Sequence, residues 1–308
     1  MDETRGIPES SFLTGILLDE FIMALGLKPN RWTRSLIRPL FGRPASRFAS
    51  LGVVFDRYVA TRSLPEAARW ALESHRVEVR VREQAEVPRH GPLLITSNHP
   101  GGIDCLALAV GLGRDDLKIV ASGLPFLRNL PEVARHLVLV SREETHQRMG
   151  ALRESIRHLR QGGSLLLFPR GKVEPDPAIF PEAESSIDDW SPSVRLVLDA
   201  VPELRWVMAI VSGVVSPRAL QHPLTRRRRD LAGRQTVAEM YQIARQVMSP
   251  RWLQQTISMT LAPVHLAPEA PVASPSGNPM ADVIASARRT LQDHWEWLRT
   301  GVPSGLPG

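Results

Sequence analysis

Cysteine is almost missing from this 308-residue sequence: Cys105 stands alone. One thiol can neither close a disulfide within the chain nor build a thiolate metal site, and nothing points to an oxidising compartment. Long apolar runs are missing too. The best candidate, residues 12–27, carries Asp19 and Glu20 in its middle, and 206–215 is only strand-length. A membrane span needs about 20 largely apolar residues, so none is expected. The start of the chain shows neither a basic segment ahead of an apolar core nor a small-residue cleavage site, which makes the cytoplasm the expected compartment. No repeat recurs at a fixed period, which removes solenoids and propellers.

What is present is a globular composition. Hydrophobic residues make up 43% and charged residues 23%, which excludes a disordered chain. The length suits one large domain with appendages or two small ones. Lys and Arg number 38 against 32 Asp and Glu, a net charge of +6. That balance favours anionic partners such as phospholipid headgroups, phosphorylated small molecules or nucleic acid, without choosing among them.

Along the chain, apolar residues at helical spacing predict an amphipathic helix over 10–27, ended by Pro29 and Asn30. Further helices are predicted over 47–60 and 64–74. The alternation Val-Glu-Val-Arg-Val over 77–81 reads as a strand with one wet face, and 93–96 as a short buried strand. Helices over 104–110, 143–160 and 194–200 then alternate with strands over 117–121, 137–140, 164–168 and 206–215. This alternation predicts an α/β fold: a mixed, largely parallel central sheet flanked by helices, with an N-terminal helical segment and a C-terminal helix. A helix over 232–248, a strand over 257–261, a Pro- and Ala-rich linker over 266–279 and a helix over 280–299 complete the chain. The expected organisation is a helical region over 1–75, an α/β domain over 76–265, and a linker with a C-terminal helix over 266–308.

The strongest chemical feature is Asn98-His99-Pro100-Gly101-Gly102-Ile103-Asp104. It sets a histidine at the end of a buried strand and a carboxylate five residues later, across a glycine-rich turn. Loops after strand ends are where α/β proteins put their sites. Histidine suits proton transfer near neutral pH, and a carboxylate on one ring nitrogen fixes the tautomer and leaves the other nitrogen as a base. By itself a His-x4-Asp pair is common. Cys105, beside it, reads as a small hydrophobe at the start of an apolar helix rather than a nucleophile.

Asn98-His99-x4-Asp104 resembles the first signature block of the glycerolipid and lysophospholipid acyltransferase family (1-acylglycerol-3-phosphate acyltransferases and relatives). The strand 137–140 followed by Ser141-Arg142 resembles the second block, Phe168-Pro169-Arg170-Gly171 the third, and 210–212 the fourth. Together they cover roughly half the chain in the family's order. Departures are clear. His136 stands where glycine is usual, Arg170 replaces the usual glutamate, Lys172 stands where threonine is common, and Ser212 replaces a proline. The chain thus resembles a divergent member, with its catalytic block intact and its acceptor-binding blocks altered.

The resemblance implies an acyltransferase. His99, held by Asp104, would deprotonate an acceptor hydroxyl, which attacks an acyl thioester. Acyl-CoA or acyl-carrier protein is the implied co-substrate, with no bound cofactor and no metal. Arg142, Arg170 and Lys172 would meet an anionic headgroup. Gly101, Gly102 and Gly171 would lie along the substrate, and backbone N–H groups around one or another of them are the candidates to hold the oxyanion. The implied partners are the thioester donor, a lysolipid acceptor and an anionic membrane surface, with no nucleic acid. The implied location is cytoplasmic, peripheral to the inner face of the membrane. A non-glycerolipid acceptor of the ornithine-lipid type, taken as amine or hydroxyl, stays open, as does an inactive lipid-binding relative. The basic run 226–229 reads as a solvated loop or a contact for anionic lipid or coenzyme A phosphates. The 12–27 helix would pack on the domain or lie in a lipid interface.

Overall fold

The computed structural model of the chain describes residues 10–122, 125–140, 145–266 and 280–301. It opens with three helices, α1 (Ser10–Ala24), α2 (Arg31–Thr61) and α3 (Leu64–Ser74), followed by strand β1 (Val77–Glu83). Next come β2 (Leu93–Ser97), α4 (Asp104–Leu112), β3 (Leu117–Ser122), the short helices α5 (Pro125–Arg128) and α6 (Pro131–Arg135), and β4 (Leu137–Val140). Then follow α7 (Thr145–Arg160), β5 (Ser164–Leu167), α8 (Ala183–Ser186) with a 3-10 turn at Ile187–Asp189, α9 (Ser193–Ala200) and β6 (Arg205–Ser212). The last part holds α10 (Pro217–Leu220), α11 (Pro223–Arg226), α12 (Leu231–Met248), β7 (Gln255–Leu261), β8 (His265–Leu266) and α13 (Ala281–Thr300).

The strands form one mixed sheet in the order β1-β7-β6-β2-β5-β3-β4, with β8 alongside β6. β2, β3, β4, β5 and β6 are mutually parallel; β7 and β8 run antiparallel to β6, and β1 is parallel to β7. β2 is buried along its whole length and β6 over all but its first residue, as expected of strands with both faces covered. One face is packed by residues of α1 to α6 (Leu13, Ala49, Ala67, Leu108 and Phe126 among them), the other by α7, α9 and α13 with Trp190 and Trp206. Among the described residues no helix is long and apolar enough to cross a membrane.

The elements beyond α2 lie close to their predicted positions. The second helix differs. It was expected over 47–60, but begins at Arg31 and runs unbroken through Pro39 and Pro44 to Thr61. A proline inside a helix removes one backbone bond and crowds the previous turn, at a cost of about 3 kcal/mol or more. Two features offset this. Asn30 caps the N-terminus by accepting from the N–H groups of Trp32 and Thr33 while the Thr33 side chain caps in return. Ile37, Ala49, Gly52, Asp56 and Val59 then bury one long face. The residues read as a linker over 267–279 lie outside the described residues.

Candidate active site

The site sits at the C-terminal end of β2. The buried Asn98 side chain clips the loop to β6, donating to the Val211 carbonyl at 2.9 Å and accepting from the Val211 N–H at 2.8 Å. His99 follows. Its Nδ1 lies 2.9 Å from Asp104 Oδ2. A carboxylate oxygen only accepts, so Nδ1 carries the proton and Nε2 the lone pair. Asp104 is fully buried at the first turn of α4 and also accepts the Gly101 N–H at 3.1 Å. The His99 ring stacks on Phe168 of the third block, centroids 4.3 Å apart. Its side chain keeps 26% of its surface open. The pair predicted from spacing is thus brought together, with the basic nitrogen turned away from its partner.

Two further carboxylates grip this loop. Glu174, fully buried, accepts the His99 N–H at 3.2 Å, and its own N–H donates to the His99 carbonyl at 2.7 Å. Its second oxygen takes bonds from Ser186 and the Trp190 indole, each at 3.0 Å. Glu239, on α12, accepts the N–H groups of Gly102 at 2.9 Å and Ile103 at 3.1 Å. Gln235, one turn earlier, donates to the carbonyls of Pro100 and Glu174. Asp176, also buried, takes the N–H groups of Gly213, Val214 and Val215 and so holds the loop after β6.

Charge follows burial. Burial alone would lower the His99 pKa, but the charge and hydrogen bond of Asp104, with Glu239 and Glu174 behind, carry it above its ordinary value. Burial pushes Glu174 up to about 7, opposed by its bonds from Trp190 and Ser186 and by Arg170. Burial likewise pushes Glu239 up to about 7 against its two N–H donors. The Cys105 thiol is raised by burial and by the charges of Asp104 and Glu239, and it donates to the Gly102 carbonyl. A thiol so held is a poor nucleophile.

The remaining predicted residues fall unevenly. Arg170 lies near Glu174 but is ion-paired to Asp189 at 2.8 Å. Lys172 is exposed in the same turn and also lowers Asp189. Gly101 and Gly102 line the loop, but their N–H groups go to Asp104 and Glu239. The Gly171 N–H goes to the Phe168 carbonyl. Arg142 lies outside the described residues. Ser212 of the fourth block bonds His294 of α13 at 2.8 Å. In the basic run, Arg226, Arg227 and Arg229 are exposed, while Arg228 approaches Asp230 at 3.4 Å.

Sequence reading missed Glu174, Gln235 and Glu239. A signal existed for the last two. Gln235, Glu239, Gln242 and Gln246 recur at helical spacing on a helix otherwise fit to pack, and all four are buried. A polar stripe on the inward face of a helix needs partners, and here they are the loops around the site.

Residues 78–188 match the family model described as Acyltransferase. No curated protein matches the sequence. Among solved structures, the chain is similar to the crystal structure of the 1-acyl-sn-glycerophosphate (LPA) acyltransferase, PlsC, from Thermotoga maritima, at 13% identity over 94% of this chain and 97% of that one, with a TM-score of 0.42. The matched segment contains β2, His99, Asp104 and the Phe168 turn. Residues 78–188 are accordingly a divergent acyltransferase-family domain, and the chain that carries them is an acyl-transferring enzyme.

Proposed function

We propose that this chain moves a fatty acyl group from acyl-CoA or acyl-carrier protein onto the hydroxyl of a lysophospholipid or glycerol-phosphate-type acceptor. The observation that carries the reading is the 2.9 Å bond between His99 Nδ1 and the buried Asp104. Nε2 takes the hydroxyl proton as the oxygen attacks the thioester carbonyl. The tetrahedral intermediate collapses, the C–S bond breaks, and the proton passes from Nε2 to the departing thiolate. Asp104 stabilises the transient imidazolium. No acyl-enzyme forms. The test is transfer of labelled acyl groups to a panel of lysolipids by the wild type and by His99→Ala. Equal turnover by the two proteins would sink the mechanism.

One observation favours a second acceptor class. Three carboxylates stand around His99, and Arg170, which acts on Glu174 among them, is paired with Asp189. Such a field suits an amine-bearing or zwitterionic acceptor, as in ornithine-type lipids, better than a phosphomonoester. A panel holding both lysophosphatidate and a lyso-ornithine lipid decides by kcat/KM.

For the membrane, we assign the exposed face of α2. Trp32, Leu36 and Leu40 sit four residues apart with 78%, 70% and 70% of their surface open. Between Glu20 and Asp56 the sequence has no acidic residue but carries Lys28, Arg31, Arg34, Arg38, Arg43 and Arg47. An apolar stripe bordered by cations fits an anionic lipid surface. The 12–27 helix, in contrast, buries Leu13, Leu18, Phe21 and Ile22 against its neighbours. Flotation with phosphatidylglycerol vesicles at low salt should recover the wild type and lose a Trp32→Ala/Leu36→Ala double variant. Equal flotation of both proteins would remove α2 from the interface.

A further inference from the structure

Helix α12 lies beyond the end of the family-matched segment, yet it touches the catalytic loop at several points. Glu239 spans both consecutive N–H groups at Gly102 and Ile103 across 137 and 136 residues of chain. A Cβ added to Gly101 would fall 2.6 Å from each Glu239 oxygen. A side chain at 101 would push this carboxylate away from its two N–H donors. Gln235 holds Pro100 from the same helix. The next residue, Met240, packs with Leu18, Phe21, Ile22 and Ile37, which anchors the helix against α1 and α2. The two N–H bonds and the glycine contact therefore come from a helix that is itself packed in place.

We propose that Glu239 is a positioning residue for acyl transfer: its carboxylate holds the 101–103 turn so that His99 and Asp104 stay in register, and it adds to the negative field behind the imidazole. This rests on the reading of His99 as general base. The charged groups facing His99 are Asp104 from α4, Glu174 from the loop after β5 and Glu239 from α12. Glu239 in turn faces His99 and Asp104. A glutamine at 239 would offer one acceptor oxygen to two N–H donors and turn its NH2 against the second. The turn loosens and the charge is lost together.

The experiment measures Glu239→Gln in two ways: steady-state acyl transfer, and NMR titration of the His99 imidazole, assigned by its absence from His99→Ala. Misplacing a catalytic group by about 1 Å costs on the order of a hundredfold, so kcat should fall tenfold or more while KM for the thioester changes little. Loss of a nearby opposite charge should lower the His99 titration by about one unit. Glu239→Asp keeps the charge and should keep the titration near that of the wild type, with kcat between the other two. A His99 titration unmoved in Glu239→Gln overturns the proposal, even if activity falls, because the Glu239 charge would then not reach the imidazole. If Glu239→Gln does not fold, Glu239→Asp decides: wild-type kcat overturns, reduced kcat at unchanged KM supports. If His99→Ala keeps full activity while Glu239→Gln still shifts the titration, the base assignment fails and the coupling stands.

Discussion

His99, at the end of β2, and His294, on α13, are both imidazoles largely withdrawn from water, and their surroundings move them in opposite directions. His99 faces Asp104, Glu174 and Glu239 and is carried above its ordinary value. His294, fully buried on α13, is bonded by Ser212 at Nε2 and Thr260 at Nδ1, each at 2.8 Å. Burial, with Arg82 nearby, lowers it to about 3. Desolvation acts on both rings in the same direction. What differs is the partner: a carboxylate rewards the proton, a hydroxyl does not. One ring is poised to exchange a proton and has an open face. The other is a neutral pin that fastens the C-terminal helix to β6 and β7.

The largest test of that contrast is deletion of each ring. His99→Ala should lose at least about a thousandfold in kcat/KM, the order expected when a general base is removed, with thermal stability close to wild type. His294→Ala should do the reverse. It strands two buried hydroxyls and opens a cavity, costing about 2–4 kcal/mol in urea unfolding, while turnover of the folded protein stays within a few-fold. A His294→Ala protein that is stable but inactive would break the comparison.

Asp104→Asn sharpens it. The amide neither stabilises the imidazolium nor enforces the Nδ1–H tautomer, and a loss of about a hundredfold or more in kcat is expected. The acid limb of the pH–rate profile should also move to lower pH, because the charge that raises His99 is gone.

The smallest effect is on stability against pH, and there the two rings have opposite signs. His99 binds its proton more tightly folded than unfolded. Its stabilising contribution is complete below the ordinary histidine value and fades as pH rises through the elevated one. His294 binds its proton more tightly unfolded, so stability falls as pH drops from about 6.5 toward about 3. Urea midpoints measured across that range in the wild type and in a His294→Gln variant check this. The wild type should lose more on acidification than the variant. Equal slopes would mean His294 is not held neutral.

Much of the active loop was legible because it is local. His99 and Asp104 are five residues apart, and a strand, a glycine turn and the first turn of a helix bring such a pair together with little help from the rest of the chain. The long strands and helices were legible through their periods. The continuous α2 was not, because Pro39 and Pro44 are stop signals in isolation and only packing along 37–59 overrides them. Glu174 and Glu239 were not, because an isolated glutamate reads as solvated surface. They reach the site across 75 and 137 residues, and each is buried only once the sheet has closed.

By itself, then, the sequence determined the α/β class, the strand that ends in His99 and the carboxylate that orients it, since these depend on spacing and alternation over a few residues. The tertiary structure alone decided that Arg170 turns to Asp189, that Ser212 and Thr260 pin His294, and that α12 grips the turn at 101–103. Those outcomes depend on which buried polar groups meet when distant segments pack, and burial makes each unpaired group costly enough to select its partner.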